Sequence, residues 1–171
     1  RLETETAFLD AHKEYAVVSC PMVYFDNAGE WQMGNPLCAE PEARMLVHGT
    51  VHCHAPCMIR SEVIRAVGGY SVDKKLMRVE DWHLWVKVYA AGYRGYNLQT
   101  PLYRMRDDRN AIHRRRFRYR LNEVYVSAAA VSTFELPLWN YLYSLRPILV
   151  GLIPLRLYSL LHRGKMKLIA K

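Results

Sequence analysis

At residues 79–85 the sequence reads Val-Glu-Asp-Trp-His-Leu-Trp, which places two adjacent carboxylates, Glu80 and Asp81, at the start of an apolar-periodic segment. Apolar residues then recur at intervals of three and four, which predicts an amphipathic helix from Trp82 to Ala91 that ends at Gly92. We expect one carboxylate to cap this helix, which leaves the other free to act in a cleft. The alternative is that both only complement the positive end of the helix dipole.

Shorter patterns on both sides of this helix predict an alternating order of helices and strands. Before it we expect a helix at 2–9, strands at 15–20 and 22–25 interrupted by Pro21, a turn at 26–29 and a strand at 56–59. A further helix is predicted at 62–67, capped by Ser61 and ended by Gly68 and Gly69. After it, strands are expected at 93–98 and 102–105. This order is typical of an α/β protein.

A long helix is predicted from Ala111 to about Thr133. Its apolar stripe would consist of Phe117, Leu121, Val124, Ala128 and Val131, and its first turns carry Arg114, Arg115, Arg116, Arg118 and Arg120. Positive charge at a helix N-terminus opposes the helix dipole, which suggests an anionic partner. A solvated basic face remains the alternative. Nucleic acid is not expected, because no nucleic-acid-binding module surrounds this helix and Phe117 is predicted to be buried.

Residues 141–161 are rich in aromatic and branched apolar side chains, but arginines and prolines interrupt them. The longest uncharged run, 147–155, is far shorter than the roughly 20 residues that a membrane span requires. We therefore predict amphipathic helical pieces that lie on an anionic membrane surface. The alternative is that these pieces pack against the half of the chain that carries Glu80 and Asp81.

Charge divides the chain into two parts. The whole chain has 171 residues, 51% of them hydrophobic, and a net charge of +8, a composition that excludes a disordered tail. Residues 1–103 carry ten Lys and Arg against twelve Asp and Glu, whereas residues 104–171 carry fourteen against four. We expect one domain over 1–110 and a basic helix with a membrane-associated tail over 111–171.

The cysteines and histidines do not form a strong metal motif. Four cysteines lie at positions 20, 38, 53 and 57 without a spacing that requires disulfides, which favours a reduced, cytoplasmic setting. His48, His52, Cys53, His54 and Cys57 offer donor groups for zinc, but the second paired ligand set of a structural zinc site is missing. No metal site is therefore expected within this chain.

Five short motifs follow one another: His54-Ala-Pro-Cys-Met-Ile-Arg60, Val67-Gly-Gly-Tyr70, Glu80-Asp-Trp-His-Leu-Trp85, Gly92-Tyr-Arg-Gly-Tyr-Asn97 and Pro101-Leu-Tyr-Arg104. In this order and spacing they resemble the second half of a family 2 glycosyltransferase with the GT-A fold. The resemblance continues through residues 110–123 and 145–154, which look like the tail of bacterial polysaccharide-assembly members. It implies the acceptor-side half of an incomplete GT-A (Rossmann-like) domain, followed by the long helix and the amphipathic tail.

The family's Asp-x-Asp motif, which holds a divalent metal against the donor diphosphate, does not occur in this sequence. In the family it lies upstream of a segment like residues 1–9. The resemblance therefore implies a C-terminal fragment that is inactive alone, with Mg or Mn bound by the full-length enzyme mostly through upstream ligands.

The resemblance also implies roles for individual residues. Asp81 would be the catalytic base of an inverting transfer from a nucleotide-sugar donor to a hydroxyl of a glycan or lipid-linked acceptor. The acceptor would be bound by Glu80, Trp82 and His54, and the diphosphate or another anion by Arg104, Arg106 and Arg114. Glu80 could instead cap the helix, and His54 could be an ordinary strand-end histidine.

We expect the protein to be cytoplasmic and to bind peripherally to the inner face of the cell membrane. A non-catalytic module that binds membranes or scaffolds other proteins remains the alternative function.

Overall fold

The computed structural model describes residues 1–34, 37–107 and 117–152. Its helices are α1 (Leu2–Ala11), α2 (Ser61–Ala66), α3 (Glu80–Ala90), α4 (Arg118–Thr133), α5 (Asn140–Ser144) and α6 (Arg146–Gly151). Its strands are β1 (Val17–Ser19), β2 (Met22–Asp26), β3 (Gly29–Met33), β4 (Met58–Ile59), β5 (Gly95–Asn97) and β6 (Tyr103–Arg106). Two 3₁₀ helices lie at Ala43–Val47 and Lys74–Leu76. The predicted mixed α/β class is confirmed, whereas the GT-A and Rossmann-like assignment stays a prediction.

The strands form two three-stranded sheets, with orders β4-β1-β5 and β3-β2-β6. In the first sheet β1 is antiparallel to β4 and parallel to β5, and in the second β2 is antiparallel to β3 and parallel to β6. A parallel pair needs a long connection, and α2 and α3 lie within the one that joins β1 to β5. Helix α3 is therefore part of the connection between these two parallel strands.

Proline separates the two sheets. Pro21 lies between β1 and β2, and Pro101 lies between β5 and β6, at equivalent places in the two parallel ladders. Because proline has no N–H to donate, a ladder is interrupted where it occurs. The predicted break at Pro21 is thus confirmed, as is the turn at 26–29, where Asp26 Oδ1 accepts a hydrogen bond from the Ala28 N–H at 2.8 Å.

Two predicted helix starts are wrong. Helix α3 begins at Glu80 rather than Trp82, and its N-cap residue is Val79, which has no side-chain cap bond. Both carboxylates therefore lie in the first turn, where they complement the helix dipole. Ser61 is likewise the first residue of α2 rather than its cap, which is Arg60. The predicted ends are right, since Gly68, Gly69 and Gly92 follow the two helices with φ of +69°, +61° and +82°.

The main core surrounds α3. Trp85 and Val88 are fully buried, and Leu84 is 2% exposed. They belong to one cluster with Leu46 and Val47 of the first 3₁₀ helix and with residues of α4. Burying a side chain of this size stabilises the fold by about 1.5–3 kcal/mol. The first turn of α3 is therefore anchored by the rest of its own helix.

The buried face of α4 differs from the predicted stripe. Its buried residues are Val126, Ser127, Ala130 and Val131, whereas Phe117 and Leu121 are 47% and 53% exposed. Val131 belongs to the predicted stripe and is buried, so the prediction is right at this end of the helix. On the buried face the Ser127 hydroxyl donates to the Val47 carbonyl at 2.7 Å and lies 2.8 Å from the Ser144 hydroxyl. The part of the predicted helix before residue 117 lies outside the described residues, as does the predicted domain boundary near 110.

Helices α5 and α6 pack against α4. They are the described part of the predicted tail, since residues 153–171 lie outside it. Within residues 1–34, 37–107 and 117–152, no helix has the length and apolar character needed to cross a membrane. Helix α5 also contacts the first 3₁₀ helix, in the half of the chain that carries Glu80 and Asp81, while several apolar side chains of these helices remain exposed. Membrane association of the tail stays a prediction.

Candidate active site

Asp81 lies between two adjoining cavities. It is half-buried in the first turn of α3, and its Oδ1 accepts a hydrogen bond from the Trp82 N–H at 2.8 Å. A cavity of about 470 Å³ lies on one side and one of about 460 Å³ on the other, and Asp81 and Arg78 line both. One carboxylate oxygen is thus oriented by the backbone while the group remains accessible from two directions. That arrangement suits a group that accepts a proton during a reaction.

The first of these, here called the arginine cavity, lies between the start of α3 and helices α4 and α6. Its charged lining consists of Asp81, Glu123 and three arginines, Arg78, Arg120 and Arg146. Arg120 forms a two-oxygen ion pair with Glu123, at 3.1 and 2.9 Å. Neither Arg78 nor Arg146 lies in a sequence motif, and the packing of α6 brings Arg146 here.

The second, here called the histidine cleft, is lined by His54, Tyr70, Arg78, Glu80 and Asp81. His54 Nε2 lies 2.7 Å from the Tyr70 hydroxyl, and its Nδ1 is buried with no hydrogen-bond partner in the described chain. Three predicted site residues, His54, Glu80 and Asp81, therefore meet in one cleft. Their roles in binding and catalysis stay predictions.

Trp82 lines the arginine cavity with its ring. It is 8% exposed, and its indole N–H donates to the Leu46 carbonyl at 2.7 Å. Because that N–H is already used inside the protein, Trp82 can offer an acceptor its ring surface but not a hydrogen bond. A role of Trp82 in acceptor binding stays a prediction, and it is limited to contacts of the indole ring.

Arg78 has an unusual backbone conformation. Its φ is +72°, a value that non-glycine residues seldom adopt and that costs about 1–3 kcal/mol. The surrounding structure supports it, because Leu76, two residues before it, and Val79, directly after it, are both 4% exposed. This bend carries the Arg78 side chain to the boundary between the two cavities, next to Asp81.

A buried polar network lies behind the site. His52 is 1% exposed, its Nδ1 lies 2.7 Å from Asn97 Oδ1, and its Nε2 lies 3.0 Å from the Tyr89 hydroxyl. The Asn97 amide in turn donates to the carbonyls of Cys38 and Val51. The network joins the end of β5, helix α3 and the segment that carries His54. The role of His52 in this network could not be predicted from the sequence, where His52 was only a weak zinc donor, because its partners Tyr89 and Asn97 are 37 and 45 residues away.

We expect His52 to make the protein less stable in acid. Burial lowers the pKa of His52 from 6.5 to about 4. The unfolded chain therefore binds a proton at a higher pH than the folded one, so stability is lost as the pH falls from about 6.5 to about 4. The loss should reach about 3 kcal/mol, at 1.36 kcal/mol per pKa unit.

Urea unfolding at several pH values, compared between wild type and His52→Gln, would measure this effect. The amide of Gln forms hydrogen bonds without titrating, so the free energy of unfolding of the variant should depend less on pH in this range. Equal pH dependence in the two proteins would contradict the assignment.

The predicted diphosphate contacts do not line either cavity. Arg104 and Arg106 lie on β6 in the second sheet, where Arg104 pairs with Glu30 at 2.7 Å and Arg106 bonds to Asn27. Arg114 lies outside the described residues. Their role stays a prediction, and the structure does not bring Arg104 or Arg106 together with Asp81.

Among the described residues, no group of three or more His, Cys, Asp or Glu side chains is placed to hold a metal ion. The zinc donors considered above are dispersed: His52 is bonded within the buried network, and Cys57 is buried enough to raise the pKa of its thiol to about 12. Since a zinc ligand must be the thiolate, that burial opposes metal binding.

Comparison with known proteins gives a match along nearly the whole chain. The chain is 34% identical over 166 residues to a Bacillus subtilis (strain 168) protein named "Putative glycosyltransferase EpsE". The aligned region covers 97% of this chain and 59% of that protein, so the chain spans less than two thirds of its relative. No protein-family model matches the chain.

The name of this relative agrees with the resemblance to a glycosyltransferase found in the sequence. Membership of family 2 stays a prediction.

Proposed function

We propose that this chain forms the acceptor side of a glycosyltransferase, with Asp81 as the general base of an inverting sugar transfer. The observation that carries the proposal is the position of Asp81, a half-buried carboxylate with access to two cavities, in a chain similar to EpsE. The GT-A fold, the family 2 assignment and a role in cell-surface polysaccharide or glycolipid synthesis belong to the same proposal.

In the proposed reaction, a hydroxyl of the acceptor attacks the anomeric carbon of a nucleotide sugar. The new bond forms between that oxygen and the anomeric carbon as the bond to the nucleoside diphosphate breaks. Asp81 takes the hydroxyl proton, and the departing diphosphate takes the electron pair of the broken bond. Because the attack comes from the face opposite the leaving group, the configuration at the anomeric carbon inverts.

Other residues position the acceptor in this proposal. Glu80 and His54 offer polar groups along the histidine cleft, where Tyr70 holds the His54 ring by its hydrogen bond. The Trp82 ring forms part of the wall of the arginine cavity. In the longer protein we expect Mg or Mn to neutralise the diphosphate, held mostly by residues outside this chain.

Product analysis with the full-length protein tests this proposal. The protein would be incubated with α-linked UDP- and GDP-sugars, one at a time, and a lipid and glycan extract of the producing cells. We expect one donor to release its nucleoside diphosphate only when the extract is present, and NMR of the product to show a β-linked sugar. Release from no donor, or an α-linked product, would contradict the proposed reaction.

We also propose that the protein binds peripherally to the inner face of the membrane. Helices α5 and α6 and the residues that flank them expose Leu138, Trp139, Leu142, Leu149 and Leu152, which are 81%, 56%, 71%, 63% and 66% exposed. An apolar surface next to basic residues is the pattern of interfacial binding. Membrane binding without any sugar transfer would instead favour the non-catalytic membrane module.

Co-sedimentation of the full-length protein with vesicles of phosphatidylglycerol tests the membrane proposal. Binding should weaken as salt is raised from 50 to 500 mM, because the electrostatic part is screened. A protein that stays in the supernatant at low salt would contradict it.

A further inference from the structure

His54 is predicted to bind the acceptor, but neither of its ring nitrogens is open to a ligand. Its Nε2 lies 2.7 Å from the Tyr70 hydroxyl, and its Nδ1 is buried with no hydrogen-bond partner in the described chain. Tyr70 is 47% exposed and lines the same cleft. We propose that Tyr70 donates a hydrogen bond to the acceptor and that His54 acts through it as a positioning residue. This inference rests on the proposed function and names a further residue of its site.

The position of Tyr70 is held by contacts to its backbone and to its ring. Gly69, directly before it, has a φ of +61°, a value that favours glycine. The Lys87 ammonium donates to the Gly69 carbonyl at 2.7 Å and to the Ser71 hydroxyl at 3.3 Å, so it holds the chain on both sides of the tyrosine. The Tyr70 ring meets the His54 ring edge to face, with 5.8 Å between the centroids. These contacts fix where the hydroxyl lies.

The buried Nδ1 of His54 indicates the direction of the hydrogen bond between the two residues. If the Tyr70 hydroxyl donates, the imidazole proton is on Nδ1, which is then a buried N–H without an acceptor. If Nε2–H donates to the Tyr70 oxygen instead, Nδ1 carries only a lone pair. A buried N–H without an acceptor is rarer in proteins than a buried acceptor without a donor. The second arrangement is therefore favoured.

In that arrangement the Tyr70 hydroxyl has its own proton to donate into the cleft. Burial raises the pKa of this hydroxyl, and the negative charges of neighbouring groups, Asp81 and Glu80 among them, add to the rise, so the group stays protonated near neutral pH. The two carboxylates line the cleft and attract the hydroxyl proton toward it. A bond accepted from His54 also strengthens the bond that the same hydroxyl donates.

These groups fit two neighbouring hydroxyls of one sugar ring. In the proposed transfer Asp81 takes the proton of the attacking hydroxyl. Glu80 can accept a hydrogen bond from the hydroxyl beside it, and the oxygen of that second hydroxyl can accept one from Tyr70. The primary hydroxyl of a hexopyranose has no hydroxyl on the adjacent carbon. We therefore expect transfer to a secondary ring hydroxyl.

Tyr70→Phe in the full-length protein tests the role of the hydroxyl, because it keeps the ring that contacts His54. With the donor that supports transfer and dilutions of the cell extract as acceptor, the KM for the extract should rise about three- to tenfold, the effect of one hydrogen bond, with kcat nearly unchanged. Tyr125→Phe, at a residue that is 44% exposed and outside both cavities, is the matched control and should behave like wild type. A wild-type KM in Tyr70→Phe would overturn the inference.

A double-mutant cycle separates the roles of His54 and Tyr70. His54→Asn removes the group at the Nε2 position and should raise the KM for the extract to a similar degree. Combined with Tyr70→Phe it should cause no further rise, because His54 acts only through the Tyr70 hydroxyl. Rises in KM that multiply in the double variant would show that His54 contacts the acceptor itself, against its role as a positioning residue.

NMR of the full-length protein, isotope-labelled at its histidine ring nitrogens, tests the hydrogen bond without turnover. The signals of His54 are those that His54→Asn lacks. We expect a proton on Nε2 and none on Nδ1 in the wild type, and a shifted Nε2 signal in Tyr70→Phe. A proton on Nδ1 would overturn the inference, because Tyr70 would then donate to His54 and have no proton for the acceptor.

The linkage of the product tests the kind of hydroxyl that is used. NMR of the product should show the new sugar on a secondary ring hydroxyl. Attachment to a primary hydroxyl, or a wild-type KM in Tyr70→Phe, would overturn the inference and leave the proposed transferase standing. If no donor supports transfer, the proposed reaction fails and the acceptor role of Tyr70 fails with it, whereas NMR still decides whether His54 donates to Tyr70.

Discussion

Replacing Asp81 by Asn should lower the rate of sugar transfer by about 10²–10⁴-fold, the usual effect of removing a general base. Asn has nearly the shape of Asp, and its side-chain oxygen can still accept the hydrogen bond from the Trp82 N–H. It cannot take the proton of the acceptor hydroxyl. The fold and the binding of the nucleotide sugar should therefore remain as in wild type, with the loss confined to the chemical step.

Glu80→Gln is the matched control for this prediction. Glu80 adjoins Asp81, lies in the same helical turn and lines only the histidine cleft. If Glu80 only helps to bind the acceptor, its amide variant should raise the KM for the acceptor and change kcat little. Transfer by Asp81→Asn within threefold of wild type, or a larger loss of kcat in Glu80→Gln, would show that Asp81 is not the base.

Gly95→Ala should destabilise the protein by about 3 kcal/mol, at the upper end of the usual cost of overpacking. An added Cβ would lie 2.4 Å from His52 Nε2 and 2.5 Å from the neighbouring ring carbon. His52 is buried and bonded on both sides, so its ring cannot move without breaking its bonds to Asn97 and Tyr89. A buried polar group left without a partner adds to the cost.

A double-mutant cycle isolates the cause of this loss. In His52→Ala the ring is absent, so Gly95→Ala should cost much less there than in wild type. The difference between the two costs should be about 1–3 kcal/mol by chemical denaturation, the range expected for residues in contact. Equal costs in both backgrounds would mean that the clash with His52 is not responsible.

Local sequence patterns were reliable where the backbone itself decides the outcome. Pro21 ends one strand, the 26–29 segment turns, and Gly92 ends α3, all as predicted. Each of these follows from the conformational limits of one or two residues. The helix starts were less predictable, because Glu80 and Ser61 can occupy either a cap or the first turn, and both take the first turn.

The orientation of α4 depended on contacts that periodicity cannot show. Hydrophobicity favoured a stripe through Phe117 and Leu121, but Ser127 finds partners in Val47 and Ser144, 80 and 17 residues away. The same limit applies to the site. Adjacent residues such as Glu80 and Asp81 could be recognised from their motif, whereas Arg78, Arg120 and Arg146 meet only because α4 and α6 pack near the start of α3.

The position of a bound acceptor tests the central claim most directly. The measurement is a crystal structure of the full-length protein with an unreactive nucleotide-sugar analogue and an acceptor. The distance between the Asp81 carboxylate and the attacking hydroxyl shows whether Asp81 can be the base. The account predicts about 2.6–3.2 Å, within hydrogen-bond reach. An acceptor hydroxyl that faces the anomeric carbon but contacts a different base, with Asp81 beyond that reach, would contradict it.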